Sequence, residues 1–235
     1  MNLIDEIYTQ YPYYGSPKIT AELRKRGYIV NHKRIERLMR LMSLTAIYPK
    51  PDTSQPREDH PKYPYLLENM EITTPNQVWG TDITYIRAQG TWYYLVAILD
   101  WFSRYVVSWI LSDHLESNFC VANLKKALSL ARPQIHNSDQ GSQFTSNDYI
   151  QTLQTHPKIQ ISMDGKNRCF DNIFTERLWR TVKYEEVYLK DYNSFSQANQ
   201  SLTEYLNTYN HERLHQSLNY QTPAEVYFQK TNLNI

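Results

Sequence analysis

Three carboxylates stand where their neighbours would make them useful. Asp82 lies inside Trp79-Gly80-Thr81-Asp82-Ile83-Thr84-Tyr85. That run predicts a strand, and a carboxylate in so apolar a strand is costly to bury unless it is paired or metal-bound. Asp139 lies in His136-Asn137-Ser138-Asp139-Gln140-Gly141-Ser142-Gln143-Phe144, just past a short predicted strand, at the carboxyl edge where ligands bind in open α/β sheets. Gly141 lets the backbone turn sharply there. Glu176 follows in Asp171-Asn172-Ile173-Phe174-Thr175-Glu176-Arg177-Leu178-Trp179, on a predicted helix. Asn172, Glu176, Arg180 and Lys183 fall at i, i+4, i+8 and i+11, one polar stripe, while Phe174, Leu178 and Val182 form the packing stripe.

Carboxylates from a strand, a strand end and a helix can converge on a pair of hard divalent cations. Such ions take oxygen ligands, which favours Mg²⁺ or Mn²⁺ over zinc. Two of them about 4 Å apart activate a water or hydroxyl on one side of a phosphorus and stabilise the leaving oxygen on the other. Each acid also has an ordinary reading, Asp82 as a loop cap and Glu176 as the ion-pair partner of Arg180. His211-Glu212-Arg213-Leu214-His215 formally fits the zinc-protease pattern H-E-x-x-H. A charge at Arg213 and the nearby turn Gln221-Thr222-Pro223 make that match one of chance, and no zinc is expected.

The elements that must position these groups are legible in outline. Asn2 to Gln10 reads as a helix stopped by Tyr11-Pro12. Ser16 as N-cap and Pro17 as first helical residue open a second, ended by Gly27. Asn31 caps a third, in which Ile35, Leu38, Met39 and Met42 form a buried stripe opposite Lys33, Arg34, Arg37 and Arg40. Helix, short glycine turn and basic helix make a helix-turn-helix pattern, whose second helix can enter a major groove. Residues 1–48 are therefore expected to be a DNA-binding domain, 49–75 a proline-containing linker and 76–235 the catalytic body. Beyond the linker, strands are predicted over Val78 to Arg87, Trp92 to Trp101 and Tyr105 to Leu111, the first two joined by a hairpin at Ala88-Gln89-Gly90-Thr91. A helix over Glu116 to Ala131, a strand over Gln134 to Ser138, a helix over 147–155, a strand over 158–163 and helices over 171–186 and from Ser194 to about Tyr209 complete a mixed α/β sheet covered on both faces.

Composition agrees with an ordinary globular protein and excludes other classes. The chain has 235 residues, 41% hydrophobic and 21% charged, which is not the balance of a disordered chain. No apolar run approaches the roughly 18 residues of a membrane span. Cys120 and Cys169 form no C-x-x-C, which fits a reducing cytosol. The formal net charge of +1 hides an asymmetry: residues 1–50 hold nine Lys and Arg against four Asp and Glu, a basic head suited to a polyanion. Twenty tyrosines and five tryptophans suit a broad binding surface or ordinary core packing.

Together the run from Trp79 to Tyr85, Asp100-Trp101-Phe102-Ser103-Arg104, the run from Ser138 to Phe144, Asp171-Asn172 with Glu176, and the tail Tyr209-Asn210-His211-Glu212-Arg213-Leu214-His215-Gln216-Ser217-Leu218 with Thr222-Pro223-Ala224-Glu225 resemble bacterial insertion-sequence transposases of the retroviral-integrase type. Residues 11–48 resemble the helix-turn-helix that precedes that core. The resemblance implies an RNase H-like mixed five-stranded sheet flanked by helices, preceded by a small all-α domain. It also implies a DDE triad of Asp82, Asp139 and Glu176 holding two Mg²⁺ or Mn²⁺ ions, and metal-dependent 3′-end cleavage and strand transfer. Lys183 matches a basic position that contacts DNA near the reacting end; Arg180, Asn172 and Gln143 are further candidate contacts around the site. Implied partners are transposon ends and target DNA, further copies of the chain on paired ends, and an upstream-frame product, because Met1 directly precedes the helix-turn-helix. A bacterial cytoplasm, at the nucleoid, is the implied location. Positions 140–175 number 36 where the family has about 35, an extra residue expected around Thr155-His156-Pro157-Lys158. A silent DNA-binding regulator and a purely hydrolytic nuclease are the rival readings.

Overall fold

The computed structural model describes residues 1–47, 63–88, 90–164 and 172–229, and the chain divides into two compact units, Met1–Gln55 and Pro56–Ile235. In the first, α1 (Asn2–Gln10), α2 (Ser16–Lys25) and α3 (His32–Leu41) enclose a core of Ile4, Ile7, Ile19, Leu23, Ile35 and Met39. Leu38 and Met42 pack at its edge. Gly27 ends α2 at φ +89, a left-handed conformation that glycine adopts without a Cβ penalty. The Arg24 guanidinium then donates twice to the Val30 carbonyl, at 3.2 and 3.1 Å, and ties the turn to the helix before it. Asn31 caps α3, its side chain accepting from the Lys33 N–H at 2.9 Å. Ser16 does not cap α2: Gly15 holds the cap position and Ser16 is already helical. Its hydroxyl lies 2.9 Å from His32 Nε2 instead and joins the starts of α2 and α3. Lys33, Arg34, Arg37 and Arg40 are exposed on α3, with Arg40 3.6 Å from Glu36.

The second unit is a five-stranded sheet in the order β3-β2-β1-β4-β5. Strands β1 (Val78–Ala88), β2 (Thr91–Asp100) and β3 (Val106–Ser112) form an antiparallel meander; β4 (Ile135–Ser138) runs parallel to β1, and β5 (Gln160–Met163) parallel to β4. Of the predicted hairpin, Gln89 lies outside the described residues, and Gly90 has φ +75. Alternation divides each strand between two cores. Val78, Ile86, Leu95, Ala97 and Leu99 meet α6 (Ile173–Glu185) and α7 (Phe195–His211) on one face. Trp79, Val96, Ile98 and Val107 meet α4 (Ser117–Leu130) and α5 (Asn147–Gln154) on the other. A final helix, α8 (Pro223–Gln229), follows α7.

Element ends differ from expectation where a local bond competes with the ladder. The fifth strand starts at Gln160 rather than Lys158, because the Ile159 N–H turns back to the His156 carbonyl at 2.9 Å. The last long helix runs two residues past Tyr209, to His211. The segment expected as a linker over 49–75 lies outside the described residues as far as 62. From 63 onward it packs on the sheet: Leu67 is buried, the Leu66 N–H donates to Ser162 Oγ at 3.1 Å, and the Pro64 carbonyl accepts from Met163 at 3.4 Å.

Candidate active site

Register brings the first two acids together. β1 and β4 pair Val78 with Ile135, Trp79 with His136 and Gly80 with Asn137. Continued two residues, just past the end of β4 at Ser138, that register brings Asp139 level with Asp82, across the roughly 4.8 Å that separates neighbouring strands. Parity puts the Asp82 side chain on the face that carries α6. On that face the Trp179 indole N–H, from α6, donates to Asp82 Oδ2 at 2.9 Å, and the Ile83 N–H donates to Oδ1 at 2.8 Å.

Two glycines make the arrangement possible. A Cβ on Gly141 would stand 2.8 Å from Asp139 Oδ1, the same oxygen that accepts the Gly141 N–H at 2.9 Å. A Cβ on Gly80 would stand 2.1 Å from Trp101 Nε1, so the bare backbone there lets the Trp101 ring lie against β1. The loop after Asp139 is fixed by Gln140, whose amide donates to the Asp164 carbonyl at 2.8 Å, and by Asn137, which donates to Asp164 Oδ1 at 2.8 Å.

Electrostatically the two aspartates are in tension. Burial, and then the nearby Asp139 carboxylate, push the Asp82 carboxyl up to about 7, against the pull of Trp179 and Ile83; Glu176 adds the smallest push. Burial also raises Asp139, with only the Gly141 N–H opposing it. Neither makes an ion pair among the described residues. Two half-buried, hard oxygen donors set close together fit a divalent cation, which would remove the repulsion and supply the missing charge.

The third acid stands apart. Glu176 is exposed on the first turn of α6, and among the described residues no three His, Cys, Asp or Glu side chains gather closely enough to hold an ion. Of the expected polar stripe, Arg180 is exposed and Lys183 half-buried. Asn172 departs from it: it is buried at the N-terminus of α6, and its amide donates to the Thr81 carbonyl at 3.4 Å. Helical spacing placed it outward, but the cap position turns it toward β1. Gln143 is half-buried, its amide 3.5 Å from the Leu115 carbonyl. Asp171 lies outside the described residues. The H-E-x-x-H match dissolves, because α7 ends at His211 and the two imidazoles share no helix face.

Sequence reasoning missed Trp179 as the donor that orients Asp82, since a tryptophan beside the packing stripe looks like core. It also left Asp100 without a task. That carboxylate closes a turn, accepting from the Ser103 N–H at 2.8 Å, the Ser103 hydroxyl at 2.6 Å and the Asn76 N–H at 2.7 Å. The Asp-x-x-Ser spacing was its one sequence signal.

Comparison with known proteins agrees with this geometry. Residues 72–169 and 157–223 match two integrase core domain families, and residues 1–52 match an HTH-like domain. The chain is 34% identical over 217 residues to the putative transposase InsK for insertion sequence element IS150 of Escherichia coli K12, covering 90% of this chain and 76% of that protein. It is 33% identical over 232 residues to the transposase for insertion sequence element IS904 of Lactococcus lactis, covering 93% and 88%. In fold it is similar to the HTLV-2 integrase catalytic core solved in complex with magnesium, at TM-score 0.53 and 24% identity over 66% of this chain and 97% of that one. It is similar also to a chain of a simian T-cell lymphotropic virus intasome bound to a PP2A regulatory subunit, at TM-score 0.57 and 18% identity over 95% of this chain and 74% of that one.

Proposed function

The chain belongs to the insertion-sequence transposases with an integrase core, enzymes of the polynucleotidyl transferase type, and from that premise we propose that Asp82, Asp139 and Glu176 are its catalytic carboxylates, acting on the ends of an insertion sequence. The observation that carries this reading is the pair of half-buried aspartates, Asp82 on β1 and Asp139 just past the end of β4, both raised by burial and Asp82 also by Asp139, with no ion-pair partner among the described residues. Asp82 and Asp139, with Glu176 from α6, would be the residues to hold Mg²⁺ or Mn²⁺. When bound, such ions supply a nucleophile at neutral pH and stabilise the leaving oxygen.

The protein's own contribution is placement. Trp179 and Ile83 fix the Asp82 oxygens, Gly141 fixes those of Asp139, and Asn172 anchors the start of the helix that carries Glu176. In the first step a water oxygen bonds to phosphorus as the P–O3′ bond breaks, freeing a 3′-OH. In the second, that hydroxyl oxygen bonds to the phosphorus of another phosphodiester as the P–O3′ bond of that diester breaks in line, the attacking hydroxyl's proton passing to solvent and the departing oxygen leaving as a new 3′-OH. Lys183 and Arg180 line the approach of the DNA, with Gln143 at the loop beside Asp139. Lys33, Arg34, Arg37 and Arg40 give α3 the charge to sit on duplex DNA. Several copies of the chain on paired ends, and an upstream-frame partner, complete the assembly in a bacterial cytoplasm.

The test begins with the DNA flanking the gene, whose imperfect inverted repeats define the substrate. With Mg²⁺, the protein should yield new 3′-OH ends and joined products from a duplex of those repeats. Asp139→Asn should lower both by at least about 10³-fold while its Kd for the same duplex stays within about twofold. Equal product from the variant would end the assignment, and cleavage without joined DNA would favour a hydrolytic nuclease.

A further inference from the structure

One cavity in the catalytic unit has no part in the carboxylate chemistry. It measures about 380 Å³ and lies where α6, the turn after β2 and the segment after α7 meet. Phe174 and Arg177 come from α6, Arg104 from the turn, and Arg213, His215 and Gln216 from the segment beyond α7. Arg177 follows Glu176 directly, so the cavity opens about 100° around the helix from the catalytic glutamate.

Its lining carries more positive charge than its neighbours neutralise. The charge of Arg213 is taken, since Nε and Nη2 donate to Glu185 at 2.8 and 2.6 Å. Arg104 and Arg177 make no ion pair among the described residues. The Arg104 guanidinium is stacked 3.6 Å from the centre of the Phe174 ring, which holds it in place without supplying a hydrogen-bond acceptor. Arg104 Nη1 and His215 Nε2 are both sealed from solvent, and neither has a hydrogen-bond partner among the described residues. Burial lowers the Arg104 pKa to about 10; Tyr209 and Asp100 pull it back up and the nearby Arg177 pushes it down further. An orphaned buried donor costs about 1–3 kcal/mol, more when it is charged. The exposed Arg177 guanidinium, with Arg104 beside it in the lining, makes a space complementary to a group with several acceptor oxygens and negative charge. Phosphate has that form, and the planar guanidinium fork matches it bidentately.

We propose that this cavity is a phosphate subsite, holding one backbone phosphate of the DNA strand that runs along α6. It rests on the reading of the chain as a DNA transposase and adds to it an anchor for the strand next to the carboxylate rim. Arg104 and Arg177 are the charge-bearing members. Gln216 lies at the mouth, and Phe174 acts by positioning Arg104.

The experiment uses the full chain in metal-free buffer at constant ionic strength, with inorganic phosphate as the first probe and duplex DNA as the second. Inorganic phosphate should raise the thermal midpoint of the unaltered protein, and Arg177→Ala, a change at an exposed residue, should remove most of that rise. Arg104→Lys, which keeps the charge and loses the fork, should reduce it by a smaller amount. With duplex DNA, Arg177→Ala should weaken binding about tenfold near 0.1 M salt and lower the steepness of log K against log salt by about one. A scan with single methylphosphonates should find a position that weakens binding by the unaltered protein and leaves Arg177→Ala unaffected.

An equal thermal rise in protein and variant overturns the proposal, as does an unchanged salt slope. A phosphate-induced rise with no such methylphosphonate position also overturns it, because the cavity then holds free phosphate rather than DNA. Failure of the transposase reading looks different: the methylphosphonate signature persists while no metal-dependent joining is detected.

Discussion

Two corners of one sheet bury aspartate and settle the cost in opposite ways. At the end of β2, Asp100 is fully shielded from solvent and receives three hydrogen bonds from Ser103 and Asn76, with Arg104 close by. Burial raises its carboxyl, and those donors work against the rise. At the rim of β1 and β4, Asp82 and Asp139 are half-buried, Asp82 has two donors and Asp139 one, and the Asp139 charge pushes the Asp82 carboxyl up further. The first arrangement completes the fold. The second leaves lone pairs and negative charge unmet, at a cost in stability that a cation from solution removes. A structural acid is enclosed by donors of its own chain, and a working one is left wanting.

The comparison breaks most decisively at Asp100. Asp100→Ala strands the Ser103 and Asn76 donors inside the protein and should lower stability by about 3 kcal/mol or more, read by urea denaturation. A loss below about 1 kcal/mol would mean that corner is no more a structural device than the rim.

A smaller effect is expected at Gly141. Gly141→Ala puts a methyl where Asp139 Oδ1 now lies, so strand transfer should fall by about tenfold or more at fixed Mg²⁺, with a partial return at high Mn²⁺. Full activity in this variant would show that the Asp139 pose tolerates displacement.

The smallest effect is a stabilisation. Asp82 has a folded pKa of about 7 against 3.8 unfolded. A raised pKa contributes stability that is fully present below about 3.8 and lost as pH rises through 7. Without metal, Asp82→Asn should therefore melt a few degrees higher than the unaltered protein at pH 8 and no higher near pH 4. Saturating Mg²⁺ should erase the difference. A variant less stable than its parent at pH 8 would place Asp82 with Asp100, among the acids the fold requires.

Much of this was legible because it depends on local pattern. The strand around Asp82, the glycine turn after Asp139 and the basic stripe on α3 follow from alternation, helical period and turn chemistry, which neighbouring residues suffice to specify. What was hidden depends on partners distant in the chain. Trp179 and Asp82 are 97 positions apart, and a tryptophan beside a packing stripe does not announce that its N–H holds a carboxylate. Asn172 obeys the helical stripe on paper, yet the helix begins there and its amide turns to β1. Ser16 looks like a cap, but Gly15 takes that place and His32 takes the hydroxyl. Arg104 and His215 share a cavity through the meeting of a turn and a tail 111 positions apart.

The bond from Trp179 to Asp82 also gives the site an optical voice. Indole emission responds to charge within a few ångströms of the ring, and the Trp179 N–H points directly at the carboxylate that would receive a cation. Of five tryptophans, Trp179 alone donates to one of the proposed metal-holding acids among the described residues. A titration followed by fluorescence, with Trp179→Phe as the dark control, reports the arrival of an ion with no DNA, no label and no turnover.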